Sequence, residues 1–197
     1  MQVLSEDTLP AGAGQLLWAN MVLHGALEPQ AVMRQWHRAL AVDGFLMFST
    51  LGPGSLQSLR DLYRAQGWPV PHAPFVDMHD LGDMLIEAGF ADPVMDQETI
   101  TLTWPTPTAA LAELRQLGGN VDPRRFVGLR TPRWRGRLLA LLTASSPARD
   151  HSGRVALDFE IVYGHAFRPP PRARLTVETT VPLDDLRAMV RAGRRRP

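Results

Sequence analysis

Residues 16–50 read LLWANMVLHGALEPQAVMRQWHRALAVDGFLMFST, and the fold turns on how this stretch divides. Residues 16–20 (LLWAN) form a short apolar run that suits a strand. Residues 26–40 place Val32, Trp36, Ala39 and Leu40 at helical spacing, with Arg34 and Arg38 on the opposite side, which predicts an amphipathic helix. Asp43 and Gly44 should end it. Residues 44–50 (GFLMFST) are apolar without alternation and lie between turn signals, as in a strand buried on both faces of a parallel sheet. Strand, helix, strand in this order is a βαβ unit with a right-handed crossover.

Beyond this unit the pattern continues. Gly52-Pro53-Gly54 breaks the chain, and Ser55 is placed to cap a helix with Leu56, Leu59 and Leu62 on one face and Gln57, Arg60 and Asp61 outside. Pro69, Pro71 and Pro74 keep the next stretch extended. Residues 77–89 (DMHDLGDMLIEAG) read as a helix, with Asp77 and Asp80 in the first turn and Gly89 at the C-cap. In residues 98–104, Ile100 and Leu102 alternate with Thr99, Thr101 and Thr103, which predicts a strand with one wet face. Residues 105–150 interrupt the rhythm with helices at 109–117, stopped by Gly118-Gly119-Asn120, and at 132–144. Residues 155–167 (VALDFEIVYGHAF) alternate as a strand that lacks a long crossover and so should run antiparallel. Pro169-Pro170-Pro171 ends the compact part, and a short helix closes the chain at 183–192. The expected organisation is an α/β unit over 1–104, an inserted helical lobe over 105–150, the last strand over 151–168 and a tail over 169–197.

Composition narrows the function. The chain has 197 residues, 45% of them hydrophobic, which suits a globular protein. No apolar run reaches the roughly 18–20 residues of a membrane span, and Met1–Asp7 carries neither a basic nor an apolar leader segment, so a cytoplasmic protein is expected. No cysteine is present, which excludes disulfides and thiolate chemistry. All 21 basic residues are Arg, so no lysine Schiff base or phosphate-loop lysine is possible. Arg124, Arg125, Arg130, Arg133, Arg135 and Arg137 cluster without an intervening acid; they suit an acidic partner, phosphates or simply a solvated basic face. Arg194, Arg195 and Arg196 read as a frayed basic end. His72 and His79 lack metal-ligand spacing, and no G-x-S-x-G or H-E-x-x-H motif occurs.

Five stretches together carry a family resemblance: LLWANMVLHGALEPQAVMRQWHRAL, DGFLMFSTLGPGSLQSLRDLY, the HAPFVDMHDLGDMLIEAGF block, ELRQLGGN and VALDFEIVYGHAF. They resemble the C-terminal part of class I S-adenosylmethionine-dependent methyltransferases, and within them the malonyl-carrier-protein O-methyltransferases of biotin synthesis. The resemblance covers about residues 1–168. It implies a partial Rossmann-like methyltransferase sheet, with the four strands here standing for strands 4 to 7 and the last lying antiparallel between its neighbours. Residues 105–150 fall where the family carries a substrate lobe. The family's glycine-rich cofactor loop has no counterpart; Gly12-Ala13-Gly14 precedes a strand instead of following one. The ribose-binding acid is also absent. Ser5 stands where Asp is usual, and Gly25 where Trp often follows His24. The rest of the cofactor site is expected outside this sequence, through a late start, a fragment or a degenerate paralogue.

The resemblance implies S-adenosylmethionine as cofactor and an acyl carrier protein as substrate carrier. Ser5, Glu6, Trp18, Asn20 and His24 would lie on the cofactor side. Each has a plainer reading: a charged N-terminus for Ser5 and Glu6, core for Trp18, a turn for Asn20, a structural histidine for His24. His72 and Phe75 would shape the entrance, and Arg115 would hold the substrate carboxylate. Arg124, Arg130, Arg133 and Arg135 would steer the acidic carrier. Ser49 and Thr50 end a strand near the substrate path, and Tyr163 or His165 faces the site or the core. Two other readings stand beside methyl transfer to malonyl-carrier: another acceptor, or a cofactor-free scaffold. The strand at residues 16–20 would be an open sheet edge, which a second copy or another polypeptide would cover. Nucleic-acid binding is disfavoured, since Phe126 and Trp134 alone interleave the arginines.

Overall fold

The computed structural model describes residues 10–117, 120–123, 125–145, 154–171 and 183. In chain order the elements are β1 (Gly14–Asn20), a 3-10 turn (Leu23–Gly25), α1 (Pro29–Ala39), β2 (Leu40–Leu51), α2 (Gln57–Ala65), α3 (Met78–Glu87), β3 (Ala91–Trp104), α4 (Pro107–Leu114), α5 (Pro132–Ser145) and β4 (Val155–Phe167). The sheet order is β1-β2-β4-β3. β1 runs parallel to β2, and β4 lies antiparallel between β2 and β3. The partial Rossmann-like arrangement is therefore present, with the last strand inserted as expected. Among the described residues no helix is long and apolar enough to cross a membrane.

Local chemistry explains most boundaries. Pro29 opens α1, where its missing N–H costs nothing. Met33, Trp36 and Ala39 form the buried face of α1. Asp77 caps α3 by accepting from His79 N at 2.8 Å, and Gly89 leaves it with φ of +100°. Thr106 caps α4 through Ala109 N at 3.1 Å, and Thr131 caps α5 through Trp134 N at 3.2 Å.

Three expectations are corrected. Asp43 and Gly44 do not end a helix. α1 stops at Ala39, Leu40 opens β2 at once, and Asp43, with φ of 62°, sits inside the strand. There β1 and β2 shift register, and a Cβ on Gly44 would lie 2.9 Å from the Gly14 carbonyl, so a glycine belongs here. Ser55 does not cap α2. It is wholly buried, donates through Oγ to Glu160 O and accepts from Glu160 N, while Leu56 in a left-handed conformation precedes the helix. β3 is also wet on both faces over residues 96–103; Ile100 and Leu102 are each 39% exposed. The closing helix expected at 183–192 and the arginines at 194–196 lie outside the described residues apart from Leu183.

The core has two parts on opposite faces of the sheet. α1 and α3 cover Leu46, Phe48, Val162 and Ala166. α2, α4 and α5 cover Leu51, Val155, Leu157 and Phe159. β4 thus buries odd positions in its first half and even positions in its second. Beyond Ile161 the odd-numbered face loses its helices. Leu16, Trp18, Met47, Val94, Tyr163 and Phe167 are exposed there, Trp18 at 72%. Register places these residues in adjoining rows, with Trp18 beside Met47 and Met47 beside His165.

Candidate functional site

A cavity of about 500 Å³ opens where β2 ends and α2, α4 and α5 meet the loops after β1 and α2. Leu51, Leu56, Leu59, Leu111, Leu138 and Phe159 supply apolar walls. Its polar lining is His24, His72, Tyr63, Asn120, Arg115 and Arg135, with Trp134 contributing an indole N–H. No acidic side chain is among the described residues that line it. A small adjoining space of about 40 Å³ shares His24, Leu51, Ala73, Phe75 and Val121 with it and adds Thr50. Asn120 holds two loops together here. Its Nδ2 donates to Pro71 O at 3.0 Å, and its Oδ1 accepts from Asp122 N at 2.9 Å.

The two histidines share one physical character. His72 stacks on Phe75 with ring centroids 4.6 Å apart, and His24 meets the same ring edge-on at 6.3 Å. Burial lowers the pKa of both; Arg60 adds to this for His72, while its bond to Ala73 opposes it. His72 Nδ1 lies 2.7 Å from Ala73 O. A carbonyl only accepts, so Nδ1 carries the proton and Nε2 of the neutral ring keeps a lone pair. That Nε2, like His24 Nδ1 and Trp134 Nε1, is buried without a hydrogen-bond partner among the described residues. Buried polar atoms are nearly always paired, so these three are the groups a ligand would satisfy.

The structure brings His24, His72, Phe75, Arg115 and Arg135 to one cavity. Arg115 stands at the C-cap of α4. Asn20 ends β1, and its Oδ1 accepts from Ser49 Oγ at the end of β2. Ser49 O accepts from Met21 N at 2.9 Å, which fixes the turn after β1. Trp18 is neither in the core nor beside the cavity; it lies on the bare sheet face. Tyr163 is on that face too, donating to Glu98 Oε1, with the His165 ring 5.4 Å from that of Phe45 and tilted against it. Ser5, Glu6 and Arg124 lie outside the described residues.

The arginine cluster is not one uniform surface. Arg130 is sandwiched, its guanidinium carbon 3.9 Å from the Phe126 ring centre and 4.4 Å from that of Trp134. Arg137 donates to Gln66 Oε1 at 2.6 Å. Arg125, Arg133 and Arg135 are exposed. Arg133 and Arg135 sit in the first turn of α5, where their charges add to the positive end of the helix dipole. Sequence reasoning missed Tyr63, a cavity-lining residue of α2. Its position four residues after Leu59 continued the buried stripe and was the available signal.

No protein-family model matches the chain. It is 38% identical over 172 residues to a malonyl-[acyl-carrier protein] O-methyltransferase of Laribacter hongkongensis, covering 87% of this chain and 57% of that protein. To the protein of the same name from Halorhodospira halophila it is 36% identical over 182 residues, covering 90% and 61%. The chain therefore spans somewhat more than half the length of these relatives. Among solved structures, the YcgJ protein of Bacillus subtilis matches with a TM-score of 0.52 at 10% identity, covering 83% of this chain and 68% of that one. Over the part of those proteins that it spans, the chain is related to the malonyl-[acyl-carrier protein] O-methyltransferases, on a partial Rossmann-like methyltransferase sheet.

Proposed function

We propose that this chain carries the acceptor side of an S-adenosylmethionine-dependent O-methyltransferase acting on the free carboxylate of a malonyl thioester borne by an acyl carrier protein. The observation that carries the reading is the 38% identity to a protein of that name, on a chain whose acid-free cavity holds Arg115 and Arg135. Such a cavity favours an anionic guest over a cationic one.

The described residues fit one flank of the cofactor. Asn20 and Ser49 end adjacent parallel strands, where ligands of such sheets bind, and His24 Nδ1 is an unused hydrogen-bonding atom nearby. When bound, S-adenosylmethionine supplies an electrophilic methyl group. The chain's own part is positioning. Arg115 holds the carboxylate, and the leucine walls exclude water that would compete for the methyl group. A carboxylate is already a nucleophile, so no proton has to move. His72, neutral and offering a lone pair, orients an N–H of the acceptor arm and abstracts nothing. Arg133 and Arg135 at the head of α5 steer an acidic carrier, with Arg130 held against Trp134 of the cavity wall. A soluble carrier substrate places the reaction in the cytoplasm.

The test is a calorimetric titration of the chain with S-adenosylmethionine, followed by transfer of labelled methyl to malonyl-carrier protein. Arg115→Ala should cut turnover at least tenfold. Unchanged turnover in that variant, or methylation of a carrier lacking the malonyl group, would refute the reading.

A further inference from the structure

Tyr63 stands out among the cavity residues. The residue is 9% exposed, its ring meets Trp68 edge-on at 5.2 Å and Trp134 at 6.2 Å, and it lines the cavity with Arg115. Its hydroxyl makes no hydrogen bond to another described residue. Trp134 in turn backs the guanidinium of Arg130 at 4.4 Å, so that charge is held in place by aromatic faces on both sides. A phenol whose ring is braced by two indoles, close enough to Arg130 and Arg115 to feel their charge, is a held donor in a positive field.

We propose that Tyr63 is a substrate-binding residue, its hydroxyl donating to the same carboxylate that Arg115 holds, with Arg130 as a fixed second charge that favours the acid over its ester. This rests on the carboxylate-acceptor reading above. Burial raises the Tyr63 pKa and Arg130 and Arg115 lower it less, so the phenol stays protonated and remains a donor throughout the working pH range. An arginine pair alone would hold charge without direction. The phenol fixes one carboxylate oxygen and leaves the other toward the methyl donor.

The experiment is titration of the chain and of Tyr63→Phe with malonyl-pantetheine and, separately, with its methyl ester. Phenylalanine keeps the ring contacts and removes only the donor. The parent chain should prefer acid over ester by at least tenfold, and Tyr63→Phe should weaken acid binding about tenfold while leaving the ester unchanged. An undiminished acid preference in Tyr63→Phe overturns the inference and leaves the reading standing. Equal binding of acid and ester by the parent chain, or binding of neither, overturns both. Should Tyr63→Phe not fold, Arg130→Gln carries the test: the acid preference must fall at least threefold, and an unchanged preference refutes the arrangement.

Discussion

Ser55 and Glu160, 105 residues apart, are joined by a reciprocal pair of hydrogen bonds, Ser55 Oγ donating to Glu160 O and accepting from Glu160 N, each at 3.0 Å. Gly52 N donates to the same carbonyl at 2.9 Å, and Gly54 N to the Glu160 side chain at 2.8 Å. The loop after β2 is thereby stapled to the centre of β4, just where the cavity begins. Ser55→Ala leaves the Glu160 N–H without its partner in a wholly buried position. The expected cost is about 1–3 kcal/mol, read as a lower midpoint in urea with an unchanged slope. A midpoint within error of the parent would show that the staple contributes nothing.

Gly164 in β4 faces the Phe48 ring so closely that a Cβ would lie 2.3 Å from Phe48 Cε1 and 2.9 Å from Met95 Sδ. Gly164→Ala therefore overpacks the core under α1 and α3. About 1–3 kcal/mol of destabilisation is expected, and Phe48→Leu in the same chain should recover part of it. Strict additivity of the two changes in a double-mutant cycle would count against the contact.

Stability should depend on pH through three histidines. Burial lowers the pKa of His24, His37 and His72 below the ordinary 6.5, Arg168 adding to the effect at His37 and Arg60 at His72. The unfolded chain then takes up protons before the folded one. Stability is complete above about pH 6.5 and declines as pH falls through the lowered values. The melting midpoint should drop as pH falls below about 6.5, and His72→Asn should flatten that slope. A midpoint rising on acidification would contradict the burial of these rings.

The exposed apolar rows on the sheet predict self-association. Trp18→Lys removes the most exposed aromatic of that face from an edge strand. Light scattering at raised protein concentration should fall, with the melting midpoint within about 0.5 kcal/mol of the parent in stability terms. Equal scattering from both proteins would place association elsewhere.

The sequence made the βαβ unit, the α3 boundaries and β4 legible because each has a clean period and clear punctuation. Asp77 and Gly89 bracket α3 by chemistry that needs no tertiary partner. Asp43-Gly44 misled because a helix stop and a strand bulge use the same residues, and only the register of β1 decides between them. Ser55 misled for a related reason: its hydroxyl had a local role available and took a distant one. The cavity was half legible. His24, His72, Phe75 and Arg115 were named from a resemblance, while Tyr63 was missed. What sets it apart is its neighbours Trp68, Trp134 and Arg115, which come from three separate segments. Trp18 shows the opposite case, an apolar residue whose covering element is not among those described.

The position of β4 has a consequence for synthesis. Among the described strands β3 pairs only with β4, and β2 meets β3 only through it. While the ribosome is still adding residues before Val155, the fourteen-residue β3 lacks the strand it pairs with among the described residues. Translation must run past Phe167, and the exit tunnel must release that segment, before the sheet can close. Until then β3 is a long strand without that partner, so a pause in translation between Trp104 and Phe167 would lengthen an aggregation-prone moment in the life of the chain.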